Sequence, residues 1–580
     1  MSGSPNTRTS LRAVGALVSA ALVSGLLAAC TDEPPAVANV ADEPVTGGTV
    51  TVVTESEGFE SLDPQGMFIA DLFNVSQLIT RTLTTFTVPS DGTEPELVGD
   101  LATDVGTPNE DFTEWVFTLR DDVKWETGEE VTCADVRYGV LRSYDIRHGK
   151  KAQVDGGPPY IPAWLDIPDD YKGPRTDGDL TEDRGVVCDD DHTIRFTLKT
   201  PASNFPAAAA MPAFSPVPAD ADTWGDYGLD PVATGPYKLT EYEPATDGGQ
   251  GHALFERNEH WDSETDPVRE ARPDAVKYLF GVAREYAAQQ IVNDNPDYAN
   301  AVMYQNVPAN YVQQVVNDDE LMAQTVTGPT SAIRYLAINT ESVPDIECRK
   351  ALVIGFNKRK FLDVLGGQIF GEYATTVLPP GDPGHADFDV FGLSDNPDGD
   401  LERAQQLLAD AGDCPKKLSL DGTDTPTGKR LAESIQATYA RLGITIELNL
   451  IAPDQFFGVV DDLDKQGDLT LAGWIADWPG GSGTLPAMYH GDSIINKANT
   501  NYARLDDADI NELIDAANAA GNTDEAYELW GAVDKRIAEE AVTVPISHTK
   551  VLSLCGKNVR GAVLNLQHGA VDIASLGVAG

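Results

Sequence analysis

The segment LAGWIADWPGG, residues 471–481, has the side-chain arrangement with the clearest chemical potential. An apolar run places Asp477 between Trp474 and Trp478, then stops at Pro479, Gly480 and Gly481. Indole rings exclude water, and a carboxylate in that setting attracts a cation more strongly than one in bulk solvent. An ammonium group is the matching ligand. The same residues also fit a plainer reading, in which both tryptophans fill a core and Asp477 caps a turn.

Catalytic constellations are not found. GTDTPTGKR at 422–430 has the look of a phosphate loop, but that motif needs four residues between its glycines and a hydroxyl after the lysine. Here five separate Gly422 from Gly428, and Arg430 follows Lys429. In PGGSGT at 479–484, Thr484 stands where a nucleophile elbow around Ser482 needs its second glycine. The eight histidines form no HExxH pair, so a helix-borne zinc site has no support. No nucleophile, base and orienter can be named together. The residues point to binding rather than catalysis, without a cofactor or a metal.

The six cysteines divide by position. Arg8 and Arg12, the apolar run Ala13–Leu27 and LAAC ending at Cys30 read as a signal peptide with a lipobox. Residues 1–29 would be removed and Cys30 lipidated, which holds the protein on the outer face of the cell membrane. A single-pass anchor is the weaker alternative, because the run falls short of the roughly 20 residues needed to span a bilayer. In that oxidising setting, locality pairs Cys133 with Cys188 and Cys348 with Cys414, leaving Cys555 free. Residues 31–48 lack Lys, Arg and aromatics and read as a tether of roughly 60 Å reach.

Positioning Asp477 requires a scaffold, and the hydrophobic periodicity describes an α/β one. TVTVV at 49–53, WVFTLR at 115–120 and TIRFTL at 193–198 read as strands, and CADVRYGVLRSY as a helix. DLERAQQLLADAG reads as a helix capped by Asp400 and stopped at Gly412. KLSLDG, LAESIQATYARLG and ITIELNL follow as strand, helix and strand, a crossover between parallel strands. TVPISHTKVLSLC returns toward an earlier sheet. A chain of 580 residues exceeds a single core of roughly 250 to 300, so at least two domains are expected. Its formal charge of -51 opposes contact with nucleic acid or anionic lipid.

Taken in order, GGTVTVVTESEGFESLDPQ, WVFTLRDDVKWETGEEVTCADVRYGVLRSY, ATGPYKL, RNEHW, IECRKALVIGFNKRKF and DLERAQQLLADAG resemble the family 5 extracellular solute-binding proteins of ABC importers, which include oligopeptide- and dipeptide-binding lipoproteins. The resemblance covers almost the whole mature chain. It implies a two-lobed, periplasmic-binding-protein-like α/β fold with an extra inserted domain. Domain I would be discontinuous, comprising residues 49–85, 200–325 and 541–580; domain II would be 86–199 and domain III 326–540, after a lipidated tether at 30–48. Two crossings near 325 and 540 would form a hinge closing on ligand.

In peptide-binding members the aspartate of a GW-x-x-D-[YW] segment pairs with the peptide ammonium, and Gly473, Trp474, Asp477 and Trp478 match that pattern. The strand before it would bind the peptide main chain around Gly473 and Ile475 by β-strand addition, and Tyr335 is a candidate neighbour or a core residue. The match ends at Trp478, where Pro479 and two glycines replace the usual polar continuation. The resemblance implies a monomeric receptor with ABC permease and ATPase partners. A non-peptide solute such as an oligosaccharide, metal complex or haem is the alternative within the binding class. A surface peptidase, or a sensor without transport, lies outside it.

Overall fold

The computed structural model describes residues 45–580 apart from 68, 91–94, 149–160, 162–163, 182 and 247. The expected signal peptide, the expected lipidation site Cys30 and the tether as far as residue 44 lie outside the described residues. The last four tether residues are held by the body: Val45 bridges Val578, and the Gly48 N–H donates to Asp274 Oδ2 at 3.0 Å.

Two large sheets organise the chain. The first has five strands in the order Ala301–Met303, Thr49–Val53, Ala275–Phe280, Gly251–Arg257 and Tyr237–Glu243. Thr49–Val53 pairs in parallel on both sides, and its β-branched residues suit a strand buried within a sheet. A four-stranded sheet adjoins the same core, with Glu114–Thr118 and Thr193–Thr197 at its centre. Ile194 and Phe196 point inward while their neighbours remain half-buried, the alternation expected of a strand with one wet face. Cys133 and Cys188 are disulfide-bonded beside this sheet, with Cα atoms 5.8 Å apart.

The second large sheet has six strands, ordered Gly371–Tyr373, Thr543–Leu554, Thr325–Ile338, Leu469–Ile475, Lys417–Thr423 and Thr445–Ile451. The last two are parallel and joined by the helix Pro426–Ala440, whose first turn is capped by Thr425 Oγ1 accepting from the Gly428 N–H at 2.9 Å. Leu431, Ile435 and Tyr439 face the sheet from that helix. The helix Leu401–Asp410 starts at Asp400, whose side chain caps Arg403, and ends one residue before Gly412, at Ala411. Cys348 and Cys414 are disulfide-bonded on this side, and Cys555 is a buried free thiol.

The two longest strands of this sheet, Thr325–Ile338 and Thr543–Leu554, run antiparallel and connect the lobes. Residues 325–329 pair with 550–554, next to the first sheet, where Val302 bridges Cys555 and the Val307 N–H donates to the Leu552 carbonyl at 2.8 Å. Residues 333–337 pair with 543–548 inside the second lobe. Between these stretches the register shifts from Pro329 to Ile333, a bulge that bends the ribbon and frees residues 330–332 for other partners.

Candidate functional site

The bulge positions Asp477. The Ala476 N–H donates to the Ser331 carbonyl at 3.2 Å, which fixes the end of the strand Leu469–Ile475 against the bulge. On its other side the Ser331 N–H donates to the Leu566 carbonyl at 3.0 Å, tying in the C-terminal hairpin formed by Leu564–Asn565 and Ala570–Val571. Gly569 in that hairpin has φ +61, and a Cβ there would come within 2.9 Å of Ile475 Cδ1. Glycine therefore allows both the left-handed turn and the close approach.

After Asp477 the loop of Pro479 to Gly483 folds back on its own start. The Asp477 N–H donates to the Gly483 carbonyl at 3.2 Å, and Trp478 Nε1–H donates to Ser482 Oγ at 2.9 Å. Trp478 is 4 % exposed and meets the Trp164 ring edge-on at 6.0 Å, so the loop after Asp477 packs against a distant part of the chain. The Ser203 N–H also crosses between the lobes, donating to the Asn518 carbonyl at 3.1 Å.

Asp477 lines a cavity of about 70 Å³ whose remaining walls come from the first lobe and the C-terminal segment. Phe73, Phe86 and Met211 supply apolar surface; Gln567, His568 and Asp572 supply polar groups. Burial lowers the His568 pKa to about 4, so the imidazole is neutral near neutral pH, and its Nδ1 has no hydrogen-bond partner among the described residues. Gln567 Nε2 likewise has no partner among them. Burial raises the Asp572 pKa, and that side chain is engaged by Asn565 Nδ2 at 3.1 Å and the Ser575 N–H at 2.9 Å. The cationic wall residue, Arg269, is held by Asp100 at 3.0 Å and Asp266 at 3.2 Å. A cavity with the Asp477 carboxylate, a neutral imidazole and a guanidinium already neutralised suits a positive ligand group better than a negative one.

The other sequence candidates separate into edge and core. In the register of the sheet Gly473 faces Arg334, Trp474 faces Ile333 and Ile475 faces Ala332. The strand Lys417–Thr423 pairs with this strand only at Leu469 and Thr470. Because the Ala476 N–H points to Ser331, alternation turns the main-chain groups of Gly473 and Ile475 to the opposite side, where no strand pairs with them among the described residues. Gly473 is exposed, and Trp474 packs half-buried against the second lobe's core.

Tyr335, opposite Ala472, is 2 % exposed, belongs to that same core and does not line the Asp477 cavity. Of the two readings open for it, core packing is the one found. The structure combines the readings of the Trp-Asp-Trp segment: Trp478 is core, while Asp477 is half-buried at a cavity wall. The C-terminal hairpin with Gln567 and His568 was missed from sequence. Its nearness to Asp477 depends on the fold, and no short-range pattern announces it.

A family model described as bacterial extracellular solute-binding proteins, family 5 Middle, matches residues 96–496. The periplasmic oligopeptide-binding protein OppA of Salmonella typhimurium is 25% identical over 568 residues, 93% of each chain. Heme-binding protein A of Haemophilus influenzae is 26% identical over 479 residues, 78% of this chain and 80% of the relative. Among solved structures, the clavulanic acid biosynthesis oligopeptide binding protein 2 superposes with a TM-score of 0.83 at 29% identity, covering 94% of this chain and 99% of the other. DppA from Helicobacter pylori, solved in complex with peptide STSA, superposes with a TM-score of 0.72 at 18% identity, covering 92% and 99%, and shows likeness of fold.

Proposed function

The chain belongs to the bacterial extracellular solute-binding proteins, family 5, and from that premise we propose that it is the receptor of an ABC importer that captures an oligopeptide by its ammonium end. The carrying observation is Asp477, set at the wall of an interlobe cavity whose guanidinium is already neutralised. The ammonium would sit against that carboxylate, and the peptide main chain would add to the open edge at Gly473 and Ile475, the strand-addition mode in which affinity is nearly independent of side chains. Relatives named for oligopeptide binding, at 25% and 29% identity over most of the chain, support this cargo.

In the same proposal residues 49–85, 200–325 and 541–580 form domain I, 86–199 domain II and 326–540 domain III. Cys30 carries the lipid anchor, and a monomer hands its cargo to separate permease and ATPase subunits. No bond in the cargo is made or broken. The two interlobe strands supply the hinge.

Native mass spectrometry of protein purified without denaturation tests the cargo. Adduct masses that fragment into amino-acid residues are expected. A haem or carbohydrate adduct would replace the peptide reading, and the haem-binding relative at 26% identity makes haem the outcome to look for first.

A further inference from the structure

Arg334 is unlike the other arginines near the centre of the protein. Arg81, Arg142 and Arg269 are buried and each is matched by aspartates. Arg334 lies mid-strand in the second lobe's sheet between Gly473 and Ser547, and its side chain has neither an ion pair nor a hydrogen bond among the described residues. It is exposed to solvent, yet surrounding protein lowers its pKa by desolvation. Both hold for a side chain that projects into a recess rather than into open water. Leaving a guanidinium there without a counter-ion costs stability, and a fold tolerates that cost where a ligand supplies the anion.

The register shows where that anion would lie. Arg334 faces Gly473 directly, and a Cβ placed on Gly473 would come near only the Ile333 carbonyl, at 3.3 Å. The space over Gly473 is open. An arginine side chain has the reach to cross one strand spacing of about 4.8 Å, so its guanidinium can extend over Gly473 to the unpaired edge. Asp477 lies four residues further along the same segment, two of them past the end of the strand, so at most about 13 Å away at roughly 3.3 Å per residue. An extended peptide with its ammonium at Asp477, running antiparallel to the strand, covers that distance in about four residues.

We propose that Arg334 is the second charged anchor of the site, binding a ligand carboxylate about four residues from the ammonium held at Asp477. This rests on the peptide reading and narrows it to short peptides with a free carboxyl group at that distance. The carboxylate is either the C-terminus of a tetrapeptide or an acidic side chain at the fourth position of a longer peptide.

The test is titration calorimetry on the full chain with randomised-sequence tetrapeptide pools. They are offered as free acids, as C-terminal amides, as amides with glutamate fixed at position four, and as N-acetylated free acids. Wild type is expected to bind free acids about 30-fold tighter than plain amides, the lower end for a desolvated charge pair. Arg334→Gln is expected to remove that preference, and Arg334→Lys to keep part of it. Glutamate amides that bind like free acids, with the gain lost in Arg334→Gln, assign the side-chain source; free acids alone assign the C-terminus.

Equal binding of acids and amides by wild type would overturn the Arg334 anchor. If N-acetylation still abolished binding in that case, the ammonium reading would stand. A further pool of free-acid hexapeptides without Asp or Glu tests the distance, and a preference for it over free-acid tetrapeptides would overturn the spacing. Absence of binding by every pool would overturn both the anchor and the peptide reading.

Discussion

Truncating the ring contact between Trp164 and Trp478 should weaken ligand binding without either side chain touching ligand. The rings meet edge-on at 6.0 Å, one from Trp164 and one from the loop after Asp477, so separating these two regions would break the contact. An aromatic pair in this geometry contributes about 0.5–1.5 kcal/mol beyond the area it buries. If binding requires closure, the same free energy leaves the apparent affinity, about 2- to 12-fold at 1.4 kcal/mol per tenfold.

Single truncations also open cavities, since Trp164 packs on Phe205 at 5.8 Å, so the quantity of interest is the coupling in a Trp164→Ala, Trp478→Ala cycle. Calorimetry on the four proteins with one peptide pool would give it. Small-angle scattering of the ligand-free proteins should show the single variants more extended than wild type. Additive effects on affinity, with unchanged scattering, would refute the reasoning: the contact would then be equally present in open and closed states.

The remaining predictions concern the scaffold. Asp100 accepts from Arg81 Nε at 2.7 Å and from Arg269 Nη2 at 3.0 Å, all three buried, so Asp100→Asn should lower urea stability by about 3–5 kcal/mol, the cost of breaking a buried pair. A small change in midpoint would mean that Asp266 neutralises both arginines alone. Burial, with Asp534 nearby, raises the Asp382 pKa to about 8 against about 3.9 unfolded. The folded state therefore binds the extra proton between these values, and this group's contribution to stability falls as pH rises from about 4 to about 8. Asp382→Asn should gain on wild type steadily across that window in urea midpoints; His548 and His568, held neutral by burial, titrate the opposite way but cancel in the difference. Parallel pH profiles would show that Asp382 is not protonated in the fold. Cys555 is fully buried with its pKa raised to about 12, so iodoacetamide followed by peptide mapping should leave it unmodified in native protein and label it after denaturation.

Local pattern revealed the scaffold where neighbours in sequence are neighbours in space. The crossover of Lys417–Thr423, Pro426–Ala440 and Thr445–Ile451 was legible because strand alternation, an amphipathic helical run and a second alternating run follow one another closely, although the helix begins at Pro426, five residues before the run LAESIQATYARLG that announced it. Thr543–Leu554 was legible as strand, but its β-branched run carries no sign that one end pairs in each lobe or that its partner bulges at residues 330–332. The site divided in the same way. Asp477 and Gly473 stood out through the spacing of Trp and Gly, whereas Tyr335 offered an aromatic with no indication of which sheet face it occupied. Arg334 was passed over because an arginine in an apolar strand signals nothing until the register sets it across from a glycine. Trp164 and His568 reach the site through contacts spanning roughly 300 and 90 residues of chain, beyond any periodicity.

The most direct measurement compares a free and an N-acetylated version of one peptide on wild type and Asp477→Asn. If the carboxylate holds the ammonium, either change alone should weaken binding by about 30- to 3000-fold, the range for breaking a desolvated charge pair, and the two together should cost little more than one. Binding of both peptides by both proteins with the same dissociation constant would contradict the account and remove Asp477 from the site.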